Sequence, residues 1–250
     1  RWLSDWSSDV CSSDLVDQMI NHAGRLRTRT RGRLHVPMVL RAPSGGGIHA
    51  PEHHSESNEA LFAHMPGIRT VMPSSPARAY GLLLAAIRDP DPVVFLEPTR
   101  LYRMNKQEVE DNGEALPLDT CFVLREGWDV TLVSWGAMIH ETLQAAAKLA
   151  EQGVGCEVID LATVSPIDFE TILESVEKTG RLVIVHEAPK NCGVGAEVAA
   201  TVAEKAIYSL KAPIGRVTGY DIPMPLFKLE HDYMPSVERV TQGIRKALEA

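Results

Sequence analysis

Residues 127–189 read GWDVTLVSWGAMIHETLQAAAKLAEQGVGCEVIDLATVSPIDFETILESVEKTGRLVIVHEAP, and this stretch decides the fold class. It contains three short runs of branched apolar residues that are typical of buried strands, at residues 130–134, 158–161 and 182–185. Between the runs, apolar side chains recur at helical spacing, and Gly153 and Gly180 stand where each helix would end. Strands that alternate with helices predict βαβ units and a mostly parallel sheet with helices on both faces.

The same alternation extends in both directions. Upstream, we predict a helix over 16–26, strands at 36–40, 70–72 and 93–96, and a helix that begins at Pro76 behind the capping hydroxyl of Ser75. Downstream, the pattern predicts a helix over 194–207, a strand over 214–218 and a closing helix over 237–248. Residues 97–120 lose this regularity. We therefore predict two domains, at residues 16–100 and 121–250, joined by a linker at 101–120.

The first fifteen residues, RWLSDWSSDVCSSDL, do not match the rest of the chain. They contain a near-repeat, SSDV followed by SSDL, and show neither helical nor strand periodicity. They also lack the basic start and apolar core of a signal peptide. We interpret residues 1–15 as a non-native segment left by cloning or sequence assembly. A natural flexible tail is the alternative interpretation.

Composition excludes several classes of protein. With 44% hydrophobic and 23% charged residues over 250 positions, the chain has a globular composition, so disordered and collagen-like classes are excluded. Its 33 acidic residues against 25 basic ones give a net charge of -8, which argues against general nucleic-acid binding. The four cysteines form no C-x-x-C pair, so we expect a reducing compartment and no disulfide framework. No apolar run reaches the roughly 18 residues of a membrane span.

A histidine-rich segment, GGGIHAPEHHSES at residues 45–57, follows the predicted strand at 36–40. Ligands of open parallel sheets bind beyond the carboxyl ends of strands, so this segment is a candidate site. Glycines allow a ligand to approach the backbone, and imidazoles exchange protons near neutral pH. A metal site is the alternative, but His49 and His53 could share a metal only on one helix face, and Pro51 argues against a helix.

The segment AIRDPDP at residues 86–92 ends a predicted helix. Free carbonyl oxygens at the C-terminus of a helix can bind a hard cation. A capped turn without an ion is the alternative interpretation, and the composition of the segment does not separate the two.

The order of several motifs resembles the beta subunit of the thiamine-diphosphate-dependent 2-oxoacid dehydrogenases. The first half of the chain contributes VPMVLRAPSGGG, HHSESNEALFAHMPGIRTVMPSSPARAYGLLLAAIRDPDPVVFLEP and LYR. The second half contributes GWDVTLVSWGAM, CEVIDLATVSPID, KTGRLVIVHEAP, GVGAEVAA and RVTGYDIPMP. The resemblance covers residues 16–250 in order. It implies an α/β fold in which a partial pyrimidine-binding domain, a parallel sheet with helices on both faces, is followed by a transketolase C-terminal-type α/β domain.

The resemblance also implies an activity and partners. It implies oxidative decarboxylation of a 2-oxoacid and reductive acylation of a lipoyl group, carried out with an alpha subunit in an α2β2 tetramer. Thiamine diphosphate and its magnesium would lie between the subunits, and the lipoyl group would belong to a dihydrolipoyl acyltransferase. The expected location is the bacterial cytoplasm or an organelle matrix, with neither nucleic acid nor membrane as partner. Pyruvate, branched-chain oxoacids and acetoin all share this subunit pattern.

The resemblance assigns roles to particular residues. His54 falls on the family's active-site histidine, which would orient substrate or the lipoyl group and move protons; here the usual His-Ser-Gln reads His54-Ser55-Glu56. A structural potassium ion would be bound through the backbone oxygens of Met38, Ala86, Ile87, Asp89 and Asp91.

No residue of this chain can be assigned to the glutamate that protonates the aminopyrimidine ring of the coenzyme, because in the family it lies upstream of the segment matched here. The resemblance therefore predicts an N-terminally truncated beta subunit that is inactive alone, which a decarboxylase assay with the matching alpha subunit, coenzyme and magnesium tests. A non-catalytic assembly module that binds the alpha subunit and the acyltransferase is one alternative. Another transketolase-family enzyme is the other, and the HHSES and HEAP stretches argue against it.

Overall fold

A computed structural model describes residues 16–104 and 106–250. Residues 1–15, which we interpret as a non-native segment, lie outside the described residues. That interpretation therefore stays a prediction.

The described part of the first half, from residue 16 to residue 104, forms three strands and four short or medium helices. The strands are β1 (Val39–Ser44), β2 (Arg69–Val71) and β3 (Val93–Pro98). The helices are α1 (Gly24–Arg29), which follows a π-helical turn at Gln18–Ala23, then α2 (Glu59–Ala63), α3 (Pro76–Arg88) and α4 (Leu101–Met104). A 3-10 turn at Glu52–His54 interrupts the segment between β1 and α2. Residues 106–121 contain neither helix nor strand.

The second half contains longer helices and more strands. The strands are β4 (Phe122–Arg125), β5 (Val130–Ser134), β6 (Cys156–Asp160), β7 (Thr163–Ser165), β8 (Leu182–Pro189) and β9 (Gly215–Gly219). The helices are α5 (Met138–Ala150), α6 (Phe169–Thr179), α7 (Val194–Ala206), α8 (Glu230–Tyr233) and α9 (Val237–Glu249), with a 3-10 turn at Ile207–Ser209.

The described strands form two sheets, and the order in each is that of an α/β fold. The first sheet has the order β1-β3-β2-β7, with β1, β3 and β2 parallel and β7 antiparallel to β2. The second has the order β4-β6-β5-β8-β9, with only β4 antiparallel. Because β7 belongs to the second half, the first sheet takes one strand from beyond the predicted linker. The α/β fold class with parallel sheets is confirmed.

The prediction of a strand at residues 36–40 is wrong in its bounds, since β1 runs from Val39 to Ser44 and includes Pro43. Proline lacks the N–H that a ladder needs, which made the segment after Arg41 read as a loop. The structure tolerates Pro43 because, among the described strands, β1 is at the edge of its sheet and is paired only on its β3 side. The short antiparallel strands β4 and β7 had no periodicity long enough to predict them.

The two halves share one apolar core. The largest buried cluster joins Leu40, Phe62 and Met72 of the first half to Trp135 and Ile159 of the second. Polar contacts cross the same boundary, because the amide of Met72 donates to the carbonyl of Ala162 at 2.8 Å. Ser74 Oγ also donates to Asp160 Oδ2 at 2.5 Å, and burial raises the pKa of Asp160 to about 6. The segment that follows β1 is therefore packed against the second half.

Candidate active site

The candidate site is the segment between β1 and α2, residues 45–58, which we call the histidine loop. It begins where β1 ends, beside the end of the parallel strand β3, because Thr99 donates its amide to the Ser44 carbonyl at 3.0 Å and its hydroxyl to the Gly45 carbonyl at 2.9 Å. The loop thus lies beyond the carboxyl ends of two parallel strands, the position in which α/β folds bind ligands.

His54 ends the 3-10 turn at Glu52–His54, and its amide donates to the Pro51 carbonyl at 2.9 Å. Ser55 follows it into the interior and is completely buried, with Oγ 3.3 Å from the Ala50 carbonyl. His53 and His54 remain exposed, with ring centroids 4.0 Å apart. The turn therefore presents two imidazoles to solvent from a backbone anchored by Ser55.

Glu187 of β8 reaches the loop from the second half. Its Oε1 accepts the Gly46 amide at 2.5 Å and the Ser57 hydroxyl at 3.2 Å. Burial raises the pKa of this carboxyl, while the Gly46 amide stabilises its ionised form and acts in the opposite direction. Glu187 thus contacts both the beginning and the end of the histidine loop.

Glu230, the first residue of α8, holds the middle of the loop. Its Oε1 accepts the Gly47 amide at 2.5 Å, and its Oε2 accepts the His49 amide at 3.0 Å. The same Oε2 lies 3.0 Å from His49 Nδ1, although Glu230 itself is only 1% exposed. His49 has a φ of 60°, a left-handed conformation that is uncommon for residues other than glycine but that histidine adopts more often than most.

The glycines of the loop make room for these carboxylates. A Cβ on Gly45 would lie 2.9 Å from Glu187 Oε1, and a Cβ on Gly46 would lie 2.9 Å from Glu230 Oε1. We predicted that the glycines let a ligand approach the backbone. The structure shows that side chains of the second half also approach the backbone at these glycines, and the approach of a ligand stays a prediction.

An ion pair between Arg100 and Glu141 lies beside the histidine loop at Gly47. Arg100, which follows β3, donates from Nη1 and Nη2 to the two carboxylate oxygens of Glu141 at 2.8 Å each. Nη2 also donates to the Ala137 carbonyl at 3.0 Å, and a Cβ on Gly47 would lie 2.4 Å from Arg100 Cδ. Because Glu141 belongs to α5, this pair connects the strand end beneath the loop to the second half.

A buried carboxyl group, that of Glu59, directly follows the end of the loop. Glu59 starts α2, is 1% exposed, and accepts a hydrogen bond from Trp135 Nε1 at 3.1 Å. Burial raises the pKa of Glu59 to about 7. The ring of Trp135 stacks on His186, with centroids 5.0 Å apart, and burial lowers the pKa of that histidine to about 4.

An open groove of about 440 Å³ borders the far end of the loop. Glu56, Ser57 and Asn58 form one wall, and Asp221 and Met224 of the second half belong to the other. The histidine loop is therefore accessible from solvent on the side of the second domain.

The structure does not place His49 and His53 as a metal pair. His49 is in a left-handed conformation and His53 is in a 3-10 turn, so they do not share a helix face. Across residues 16–104 and 106–250, no group of three or more His, Cys, Asp or Glu side chains is arranged to hold a metal ion.

The residues predicted for potassium lie at the opposite end of the first sheet. The Met38 carbonyl accepts the Val93 amide at 2.9 Å, which places Met38 beside the turn after α3. In that turn the Ala86 carbonyl accepts the Asp89 amide at 3.3 Å, and Asp89 Oδ1 accepts the Asp91 amide at 2.8 Å.

The charges around this turn are largely paired. Arg69 lies 3.2 Å from Asp89 Oδ2, and Arg27 contacts Asp91 Oδ2. Asp91 Oδ1 is buried, accepts no hydrogen bond within the described part of the chain, and lies 3.6 Å from His35 Nδ1. The turn therefore combines backbone carbonyls with one buried carboxylate oxygen that accepts no hydrogen bond within the described residues.

Comparison with known proteins identifies the family. The model of the transketolase pyrimidine-binding domain matches residues 10–105, and that of the transketolase C-terminal domain matches residues 119–240. The pyruvate dehydrogenase E1 component subunit beta of Acholeplasma laidlawii is 50% identical over 232 residues, which are 93% of this chain and 71% of that protein. The chain belongs to the beta-subunit family of the 2-oxoacid dehydrogenases.

Other relatives of this beta subunit carry related names. The pyruvate dehydrogenase E1 component subunit beta of Bacillus subtilis (strain 168) is 45% identical over 94% of this chain and 73% of its own length. The mitochondrial 2-oxoisovalerate dehydrogenase subunit beta 2 of Arabidopsis thaliana is also 45% identical, over 93% of this chain and 65% of its own length. A solved structure described as a split gene transketolase, an inactive beta4 tetramer, superposes with a TM-score of 0.71 at 26% identity, covering 92% of this chain and 73% of that one.

These findings confirm the family, the fold class and the enzyme class predicted from the sequence. The beta subunit is a 2-oxoacid dehydrogenase subunit of the acyl-transferring type, and its family depends on thiamine diphosphate. The two alternatives, an assembly module and another transketolase-family enzyme, are not favoured. No helix in the described residues has both the length and the apolar character that crossing a bilayer requires.

Sequence reasoning missed the carboxylates that hold the loop of this beta subunit. Glu187 lies in the HEAP stretch, to which the sequence analysis gave no role in the site, and the segment around Glu230 was not singled out. A signal for Glu187 was available, because it lies two residues after the branched apolar run at 182–185 and so falls near the carboxyl end of a parallel strand. Glu230 gave no comparable signal, since it lies in a four-residue helix between irregular segments.

Proposed function

We propose that this beta subunit pairs with an alpha subunit as an α2β2 tetramer and passes an acyl group from a 2-oxoacid to the lipoyl group of a dihydrolipoyl acyltransferase. The observation that carries the proposal is the exposed His54 on an anchored turn beyond the carboxyl ends of β1 and β3. The names of the relatives, each a subunit beta of a 2-oxoacid dehydrogenase, support the need for a second type of subunit.

The proposed tetramer is tested by co-expression. The chain is expressed with the alpha subunit from the same source, and the mass of the complex is measured by analytical ultracentrifugation with and without thiamine diphosphate and magnesium. A complex with equal amounts of both chains that also captures the subunit-binding domain of the acyltransferase is the expected result. A beta subunit that stays free of alpha under all these conditions would contradict the proposal.

The proposed reaction needs thiamine diphosphate, and the histidine loop offers an exposed imidazole that would act beside it. When bound with its magnesium, thiamine diphosphate supplies the electron sink for decarboxylation of a 2-oxoacid. In this chain, His54 would stand next to the reacting groups with both ring nitrogens free to hold or move a proton, because the ring is exposed. We assign no side chain of this subunit to the aminopyrimidine ring.

The role of His54 is tested by replacing it with asparagine in the alpha–beta complex. If His54 orients the lipoyl group through a hydrogen bond, the dissociation constant of a free lipoylated domain should rise by about three- to tenfold, measured by calorimetry. His53→Asn is the matched control, because His53 is equally exposed on the same turn and should leave the affinity unchanged. Equal effects of the two substitutions would contradict a specific role of His54.

We also propose that the backbone oxygens of Met38, Ala86, Ile87, Asp89 and Asp91 bind potassium. The buried Asp91 Oδ1 and the carbonyls at the end of α3 support this proposal, because potassium binds oxygen ligands. An ion that binds only the folded chain at ten times its dissociation constant stabilises it by about 1.4 kcal/mol. Unfolding in potassium chloride should therefore need more denaturant than in tetramethylammonium chloride at the same ionic strength. Identical midpoints in the two salts would contradict the proposed site.

A further inference from the structure

We propose that Glu187 and Glu230 are positioning residues that set the conformation of the histidine loop, and that Glu230 also fixes which ring nitrogen of His49 carries the proton. This inference rests on the proposed function, since the conformation of the loop matters for catalysis only if His54 acts there. The conformation itself can be measured without turnover.

Within the described part of the chain, the hydrogen bonds of the Glu230 carboxylate are made with the loop. Both of its oxygens accept from loop amides, Oε1 from Gly47 and Oε2 from His49. Within the described part of the chain, its one ion-pair partner within 4.0 Å is His49. A carboxylate that is 1% exposed needs hydrogen-bond donors, and here the backbone of the loop supplies them. Removal of Glu230 therefore leaves the two amides and the imidazole without their shared acceptor.

The Glu230 carboxylate sets the tautomer and the ring orientation of His49. With Nδ1 3.0 Å from Glu230 Oε2, the proton belongs on Nδ1, and Nε2 is left as an acceptor. The ring is half exposed, with its centroid 5.3 Å from that of His231 in an edge-to-face contact. Glu230 thus orients a second imidazole in the loop that carries His54, in a fixed tautomer.

Glu187 acts at the two ends of the same loop. One oxygen accepts from Gly46 near the start and from Ser57 near the end, so it ties together the two arms between which His54 lies. The close approach of this carboxylate to Gly45 leaves no space for a side chain there. Both carboxylates come from the second half of the chain, so the conformation of the loop depends on how the halves pack.

The experiment is NMR spectroscopy of the full chain, with Glu230→Ala, Glu230→Gln and Glu187→Gln. Long-range ¹⁵N correlations report the tautomer of His49, and hydrogen exchange reports the amides of Gly46, Gly47 and His49. In Glu230→Ala, we expect His49 to lose its Nδ1–H preference and the Gly47 and His49 amides to exchange about three- to tenfold faster. In Glu187→Gln, the Gly46 amide should show the increase, because the neutral amide is a weaker acceptor than the carboxylate.

Two comparisons separate positioning from general stability. Glu230→Gln keeps one acceptor oxygen and should restore part of the tautomer preference. Asp232→Asn, an exposed neighbour on α8, should change neither readout. An unchanged His49 tautomer in Glu230→Ala, or exchange that rises equally over the whole chain, would overturn the inference. A beta subunit that does not bind alpha would contradict the proposed function and leave these NMR results standing.

Discussion

As the pH rises, the unchanged chain should lose stability through ionisation of Glu59, and a Glu59→Gln variant should not show this loss. Between pH 4 and pH 8, the free energy of unfolding of the unchanged chain should fall by on the order of 3 kcal/mol relative to the variant. The cause is burial of a carboxyl group that, within residues 16–104 and 106–250, receives a hydrogen bond from one side chain, that of Trp135. This residue starts α2 directly behind the histidine loop, so the effect reports on the base of the candidate site.

The direction follows from the two pKa values of Glu59. Burial raises the pKa of the folded state to about 7, from 4.5 in the unfolded chain. Between these values the folded state holds a proton that the unfolded state has released, so stability decreases as pH rises through this window. Below pH 4.5 both states are protonated and the stabilising contribution is fully present. Above pH 7 it is lost.

The measurement is urea unfolding of both proteins at several pH values between 4 and 8. Subtracting the two curves removes the contributions of other groups, including Asp160 and His186, which titrate in both proteins. Glu174→Gln is the control, because Glu174 is exposed on α6. Parallel stability curves for the unchanged chain and Glu59→Gln would show that the pKa of Glu59 is the same in the folded and unfolded states, and would contradict the prediction.

Arg100→Ala should lower the free energy of unfolding by about 3 kcal/mol, because it leaves the carboxylate of Glu141 without its partner. The side chains of this pair are only 15% and 12% exposed, and both carboxylate oxygens accept from the guanidinium group. The same substitution removes the side chain on which Gly47 packs, so hydrogen exchange in the histidine loop should increase as well. Denaturant unfolding and hydrogen exchange measure the two effects.

An exposed ion pair of the same length is the control for Arg100. Lys148 and Glu238 also approach to 2.8 Å, but their side chains are 46% and 70% exposed, so Lys148→Ala should cost less than about 1 kcal/mol. Adding Glu141→Ala to Arg100→Ala should recover part of the loss, because the uncompensated charge is then removed. Equal losses for Arg100→Ala and Lys148→Ala would refute the proposed importance of burial.

Much of the second half could be predicted because its signals are local. The run at 130–134 coincides with β5, and the glycine stop at Gly180 is the C-cap of α6 with φ of 74°. The same reasoning failed at Pro43, since a proline within a strand is tolerated only at an edge, and the edge position of β1 is a property of the sheet. The linker at 101–120 and the domain bounds stay predictions.

The candidate site also contains residues that the sequence predicted and residues that it did not. His54 and the glycines were found because they lie within thirteen residues of one another, as a compositional cluster behind a predicted strand. The groups that hold them were not found, because Glu187 is 141 positions from Gly46 and Glu230 is 183 positions from Gly47. Nothing in the local pattern pairs residues at such separations.

The sequence by itself determined the α/β alternation, the family and the place of the histidine loop, because periodicity, caps and motifs act over a few neighbouring residues. Only the tertiary structure decided how the loop is held. It brings two buried carboxylates, Glu187 and Glu230, to the loop from the second half, and it pairs Arg100 beside the loop with Glu141 of the second half. The physical reason is that a buried carboxylate must find donors, and which donors are within reach depends on the packing of the two sheets.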